Sequence, residues 1–312
     1  MCYYYYWGYR DYEQALRELA QAEMGLPNDP EILLAKAYIW RRQGKFKAAV
    51  ELMQQMFVLN PRDSKLAYII AETYGIPREY ASADKFFSQA ISLAPDDINA
   101  YLMKQVNYYL WRADTILARA TLTSIPEQNE DRTRLGWYWL YMNERNYSAA
   151  IDQHALMSPV PEPDQMRFVP RTQLAAIIYD LMHDPDRARA CFDSARVILE
   201  NELTVRSNDH RVHSSLGIVY AGLGRKDDAI REGKLGVELF PVAKDAYIGP
   251  SRVEDLARIY VMVGEYDSAL DQIEYLLSIP SWFSVPLLRL DPRYDPLRHL
   301  PRYQKIVEKY GT

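Results

Sequence analysis

The chain reads as an all-α protein, an α-solenoid of about eight helical hairpins closed by a C-terminal helical cap. Three observations carry this expectation. Prolines recur at Pro27, Pro61 and Pro95, 34 residues apart, each after an apolar helical stretch that a proline would end. A pattern of small and aromatic residues repeats with the same period. Glycine is scarce, 13 of 312 residues against a usual share of about 7%, which disfavours strand-rich folds and phosphate-binding loops.

Each unit carries a small residue, an aromatic three positions on, a turn, a second aromatic and an alanine. Ala37, Trp40, Gly44, Phe46 and Ala49 make one copy, and Ala71, Tyr74, Arg78, Tyr80 and Ala83 the next. The opening copy is Tyr3, Tyr6, Arg10, Tyr12 and Ala15. Looser copies align at Tyr138 to Ala150, Ala176 to Ala188, Gly217 to Ala229 and Ala257 to Ala269. The weakest, around Gln105, Tyr108 and Arg112, has Leu117 where the alanine is expected and a second helix cut short at Pro126. The spacing has a physical basis, because a small residue on the first helix and an alanine on the second let the two cross closely while the aromatics fill the remaining gap. The units fall near residues 1–29, 30–63, 64–97, 98–129, 130–166, 167–208, 209–248 and 249–280, leaving 281–312 as a capping segment.

Over essentially its whole length this pattern resembles the tetratricopeptide repeat family. The resemblance implies a right-handed superhelix in which the first helix of each pair lines a concave groove. It also accounts for much of the tyrosine. Seven of the eight units have tyrosine at the first aromatic position and four have it again after the turn, eleven of the 25 in the chain.

Three segments depart from the regular array. The opening helix carries Tyr3, Tyr4, Tyr5, Tyr6 and Trp7 in succession, which places rings on all its sides. Tyr3 and Tyr6 belong to internal packing, and Tyr4, Tyr5 and Trp7 face elsewhere, so this end is expected to be covered by an upstream segment or to self-associate. The connection 158–170, with four prolines, cannot be helical throughout and is expected to bulge from the stack. Together with the insertion 242–252 it is a candidate to fold over one face. The tail offers Trp282, Phe283, Leu287, Leu288, Leu290 and Leu297 to close the last repeat, with a helix start expected at Asp295 and Pro296. This ending also resembles the C-terminal tetratricopeptide regions of large bacterial signalling proteins of serine/threonine kinase or adenylate cyclase type. That resemblance implies a sensory or partner-binding end of such a protein.

Composition narrows the function further. Charge is nearly balanced, 37 basic against 42 acidic residues for a net of −5, which leaves no electrostatic footprint for nucleic acid. Cys2 and Cys191 are the only cysteines, too few for a disulfide framework or a thiolate metal cage. No apolar run is long enough for membrane insertion. The five histidines form no Ser-His-Asp or HExxH arrangement, and His210 with His213 reads as a surface pair rather than a metal site. The chain is therefore expected to be non-catalytic, with no cofactor and no metal, and to bind a protein or peptide.

The groove positions implied by the family resemblance are Tyr4, Trp7, Tyr38, Arg41, Arg42, Tyr68, Tyr109 and Trp139, with Leu34, Glu72, Leu102, Met103 and Met142 beside them. In the last three units they are Asp180, Ser214, Ser215, Glu254, Asp255 and Arg258, a more polar strip. Chaperone-binding members clamp a carboxylate with lysine and asparagine, and the equivalent positions here are apolar or aromatic, which disfavours a chaperone-tail adaptor. Arg41 and Arg42 read as a solvated pair. The expected use is a peptide-binding scaffold whose anchors are the aromatics; the alternative is a ligand-sensing regulatory region.

Overall fold

The computed structural model describes residues 1–159 and 165–311. It is an all-helical solenoid. After a short wide turn of helix at Tyr4–Tyr9 come α1 (Tyr12–Gly25), α2 (Pro30–Arg42), α3 (Phe46–Leu59), α4 (Ser64–Gly75) and α5 (Tyr80–Leu93). Next are α6 (Ile98–Arg112), α7 (Thr115–Thr123), α8 (Asp131–Asn143), α9 (Tyr147–Ala155), α10 (Arg171–Leu181) and α11 (Pro185–Val205). The array ends with α12 (His210–Gly222), α13 (Lys226–Leu239), α14 (Gly249–Met262) and α15 (Tyr266–Ser278). Helices adjacent in sequence pack most extensively on one another.

Two devices set the repeat. At the turn inside each pair one residue is left-handed: Arg10, Gly44, Arg78, Arg145, His183, Gly224 and Gly264 all have positive φ, between 53° and 77°. These are the turn positions that the sequence alignment picks out. A left-handed residue stops a helix and turns its last carbonyls toward the next one. The alanine five residues later is buried in the crossing at Ala15, Ala49, Ala83, Ala150, Ala188, Ala229 and Ala269. In the weak unit the structure corrects the alignment by one residue. Ala113 is the left-handed turn and Ala118 the fully buried alanine, while Leu117 is exposed.

The second device is a cap that opens the second, third and fourth pairs. Asp29, Asp63 and Asp97, each two residues after a period proline, accept backbone N–H bonds from the first turn of α2, α4 and α6, as aspartates at this position do. The N–H groups left unpaired at the helix start are thereby satisfied.

The tail does more than cap. α16 (Val285–Leu290), a 3₁₀ turn at Pro292–Leu297 and α17 (Pro301–Tyr310) follow α15. Phe283, Leu288, Leu297, Tyr303, Ile306 and Val307 share one core with Leu270, Ile273 and Leu276 of α15. Asp295 and Pro296 lie inside the 3₁₀ turn, and the last helix begins at Pro301 instead of there. Before reaching this cap the tail crosses the ring. The Ser281 N–H donates to the Ile76 carbonyl at 3.0 Å, Ser284 Oγ to the Leu110 carbonyl at 2.7 Å, and Arg78 to the carbonyls of Leu276 and Phe283.

The segment between α13 and α14 makes a second crossing. Phe240, Tyr247 and Ile248 form one buried cluster with Phe46 and Ile76. The chain thus meets itself across the array at two places, and segments far apart in sequence share buried contacts there.

Candidate functional site

The predicted groove positions fall into three groups, the second and third of which adjoin at Glu72 and Tyr247. Tyr4 and Trp7 stand at the amino-terminal edge, 55% and 54% exposed. Tyr4 shares a 3.1 Å hydroxyl contact with Tyr9, and Trp7 packs edge-on against the buried Tyr6.

The second group is Tyr38, Arg41, Arg42 and Tyr68. Here the expectation of a solvated arginine pair is overturned, since Arg41 and Arg42 are only 5% and 3% exposed. Arg41 donates to Glu72 at 2.6 Å, and its guanidinium lies 4.2 Å from the ring centre of Tyr247. Burial disfavours its charge, but Tyr247 and Glu72 outweigh that and hold it above its ordinary value. Arg42 donates to Asp245 at 3.1 Å, to the Tyr6 hydroxyl at 3.0 Å and to Gln165 at 2.9 Å. Tyr38 and Tyr68 are half-buried beside these pairs, and burial pushes the Tyr38 hydroxyl up to about 12. Charge periodicity within one unit could not reveal a partner that arrives from 200 residues away.

Tyr109 and Trp139 form the third group, in a cavity of about 260 Å³ at the centre of the ring. Its apolar wall is Met103, Val106, Tyr109, Trp139, Met142, Trp282 and Leu287. Tyr109 is buried and accepts a 2.6 Å bond from Gln105, while Trp139 is half-buried with the Arg293 guanidinium 5.1 Å from its ring. The lining also carries Glu72, Arg167, Glu254, Arg258, Asp291 and Arg293. Most of these charges are paired: Arg167 with Glu254 across elements at 2.9 Å, Arg258 with Glu254 within α14, and Arg293 with its neighbour Asp291 at 2.5 Å. Glu254 and Asp255, expected in a polar strip lining the groove, are buried in this network, with Arg252 on Asp255 at 3.1 Å.

The connection 158–170 turns inward where it is described; residues 160–164 lie outside the described part. Gln165 reaches Arg42, the Met166 carbonyl takes a 2.7 Å bond from Arg252, and the Phe168 carbonyl takes one of 2.5 Å from Ser215. Both interruptions of the array therefore furnish the interior.

His210 and His213 are likewise buried, not a surface pair. They belong to different networks. His213 is 2.7 Å from Glu232 through Nδ1 and 2.9 Å from the Ser207 carbonyl through Nε2. With Glu232 ionised both partners are acceptors, an arrangement that favours the imidazolium. Its pKa is accordingly raised, the bonds to Glu232 and Ser207 outweighing burial. His210 instead stacks on Phe240, with ring centres 4.2 Å apart; burial, then Arg252 and Arg10, push it down to about 3. Among the described residues no helix is long and apolar enough to cross a membrane.

No family model and no curated protein matches the chain. Among solved structures it is similar to a tetratricopeptide repeat protein from Parabacteroides merdae, with a TM-score of 0.55 and 19% identity over 82% of this chain and 94% of that one. It is also similar to the APC/C hetero-tetramer Cut9–Hcn1 (TM-score 0.48, 14% identity, 92% of this chain and 52% of that one) and to yeast Tom70 (0.45, 16%, 90% and 55%). The first of these likenesses shows the fold, which is tetratricopeptide-like.

Proposed function

We propose that the chain is a non-catalytic binding scaffold that takes a small ligand into its central cavity and reports it through closure of the ring. One observation carries this reading: segments far apart in sequence come together around a partly open cavity lined by Tyr109, Trp139 and Met142. A ligand there would touch side chains from α6, α8, α14 and the tail at once. Its binding energy would therefore favour the closed ring over any opened form. The resemblance of the tail to signalling proteins supports a setting in which that closure is read by another domain. Differential scanning fluorimetry of the chain against a panel of metabolites and short peptides tests the proposal. A stabilising compound should lose its effect in Trp139→Ala while helicity is unchanged. Equal stabilisation of both proteins, or none across the panel, would overturn it.

The exposed rings of Tyr4 and Trp7 support a second use, pairing of two copies through that edge. Light scattering should then show a dimer that Tyr4→Ser with Trp7→Ser converts to a monomer, and a strictly monomeric native chain removes this reading.

A further inference from the structure

We propose that the concave surface of the first helix pairs is a recognition site for a peptide carrying an aspartate followed two positions later by a tyrosine, and that the chain's own Asp245 and Tyr247 occupy it in cis. This site adjoins the cavity through Glu72 and Tyr247, and the inference needs no ligand in the cavity.

The segment linking α13 to α14 finds its partners across the ring. Asp245, fully buried, accepts from Arg42 at 3.1 Å and from the Tyr12 hydroxyl at 2.6 Å through Oδ2. The next residue, Ala246, donates its backbone N–H to the Arg42 carbonyl at 2.8 Å. Tyr247 donates its hydroxyl to Glu72 at 2.7 Å, and its ring lies 4.2 Å from the Arg41 guanidinium and 4.8 Å from that of Arg42. Side chains i and i+2 and the backbone between them are thus all read by one surface.

The chemistry of that surface matches the motif. Two neighbouring guanidinium groups are buried there among tyrosine rings, so a phenol ring lies against cations as in other cation–π contacts. A carboxylate with charge-assisted donors replaces the water it has lost. The Arg42 carbonyl ends α2, where the last carbonyls lack helical partners and are free to accept from a second chain segment. A buried arginine without its carboxylate is costly, so this surface needs an acidic occupant, and a free segment with the same pair of residues competes for the place. The motif is also pre-shaped: Asp245 Oδ1 accepts the N–H groups of Tyr247 and Ile248, both at 2.9 Å, which fixes the turn before it meets the surface.

The test uses the full chain with Asp245→Ala and Tyr247→Ala, which vacates the site, and a fluorescent decapeptide of sequence 241–250. Fluorescence anisotropy should show saturable binding to this variant and at least tenfold weaker binding to the native chain. Replacing the aspartate of the peptide by asparagine, or adding Arg42→Ala to the protein, should each weaken binding at least tenfold. Absence of saturable binding to a variant with native helical signal overturns the proposal, as does equal binding of the asparagine peptide. If the double variant loses its helical signal, Tyr247→Phe is titrated instead; binding no tighter than that of the native chain then overturns the proposal.

Discussion

Arg42 and Asp245 meet across 203 positions of sequence, the guanidinium donating to the carboxylate at 3.1 Å with both side chains out of water. Removing one partner leaves the other buried and unpaired, which costs about 3–5 kcal/mol. Alanine at either position should therefore destabilise the chain by that order in urea denaturation. The double substitution should cost clearly less than the two single effects added together, because the second removes a charge already stranded. Strictly additive values would show that the pair does not couple the two ends of the ring.

The close approach of the tail to α4 gives a second prediction. A Cβ on Gly75 would stand 2.7 Å from Trp282 Cζ3 and 2.9 Å from Cη2. Overpacking of this kind costs about 1–3 kcal/mol, against a helix-propensity gain of about 1 kcal/mol. Gly75→Ala should thus be net destabilising in the native background and neutral or stabilising beside Trp282→Leu. The same melting-temperature change in both backgrounds would contradict the contact.

Tyrosines that look alike in sequence should differ sharply. Tyr138 is fully buried and donates to the Leu174 carbonyl at 2.9 Å, so Tyr138→Phe loses a buried hydrogen bond and should cost about 1 kcal/mol. The exposed hydroxyl of Tyr4 contacts only Tyr9, and Tyr4→Phe should stay within about 0.5 kcal/mol. Chemical denaturation of the two variants side by side checks the difference.

Acid should loosen the molecule through His210. Its folded pKa of about 3 lies below the ordinary 6.5, so between those values the unfolded chain binds the additional proton and stability falls as the pH falls. Arg10, Arg252, Asp209 and Arg211 are the charged groups that act on it. His213 has the opposite sign: its pKa is raised, and its contribution is present below the ordinary value and lost as pH rises through the folded one. Glu232, lowered by His213 and Arg231 against burial, contributes above its ordinary value and loses that contribution in acid. In His210→Phe, which keeps a ring against Phe240, the stability slope between pH 4 and 6 should be shallower by up to about 1.4 kcal/mol per pH unit. An unchanged slope in urea titrations would refute the assignment.

The hairpin repeat was legible because its causes are local. The turn that demands a left-handed residue and the alanine that sits in the crossing recur at fixed distances, and Arg10, Gly44 and Arg78 could be picked out without coordinates. The aspartate caps at Asp29, Asp63 and Asp97 were equally available, since they keep the period of the prolines. The register slip at Ala113 was hidden because Arg112 and Ala113 are both tolerable at a turn and α6 carries an additional residue. Ring closure could not be read. Arg41, Arg42 and the carboxylates that pair with them have no periodic relation, and the segments that bring Asp245 and Ser281 across are the stretches where the repeat lapses. The candidate site was legible only in pieces: Tyr109 and Trp139 do share one cavity, whose lining residues Glu72 and Tyr247 hold Arg41, but Tyr4 and Trp7 are not among its lining.

In an unclosed row of repeats each hairpin answers only to its neighbours, and melting starts at the ends and travels inward. Here the bonds from Arg78 to the carbonyls of Leu276 and Phe283 tie an early link to a late one, so neither can fray alone. The chain should therefore behave energetically as a hoop: damage at α15 should be felt beside α4, and the helices should come apart together rather than one by one.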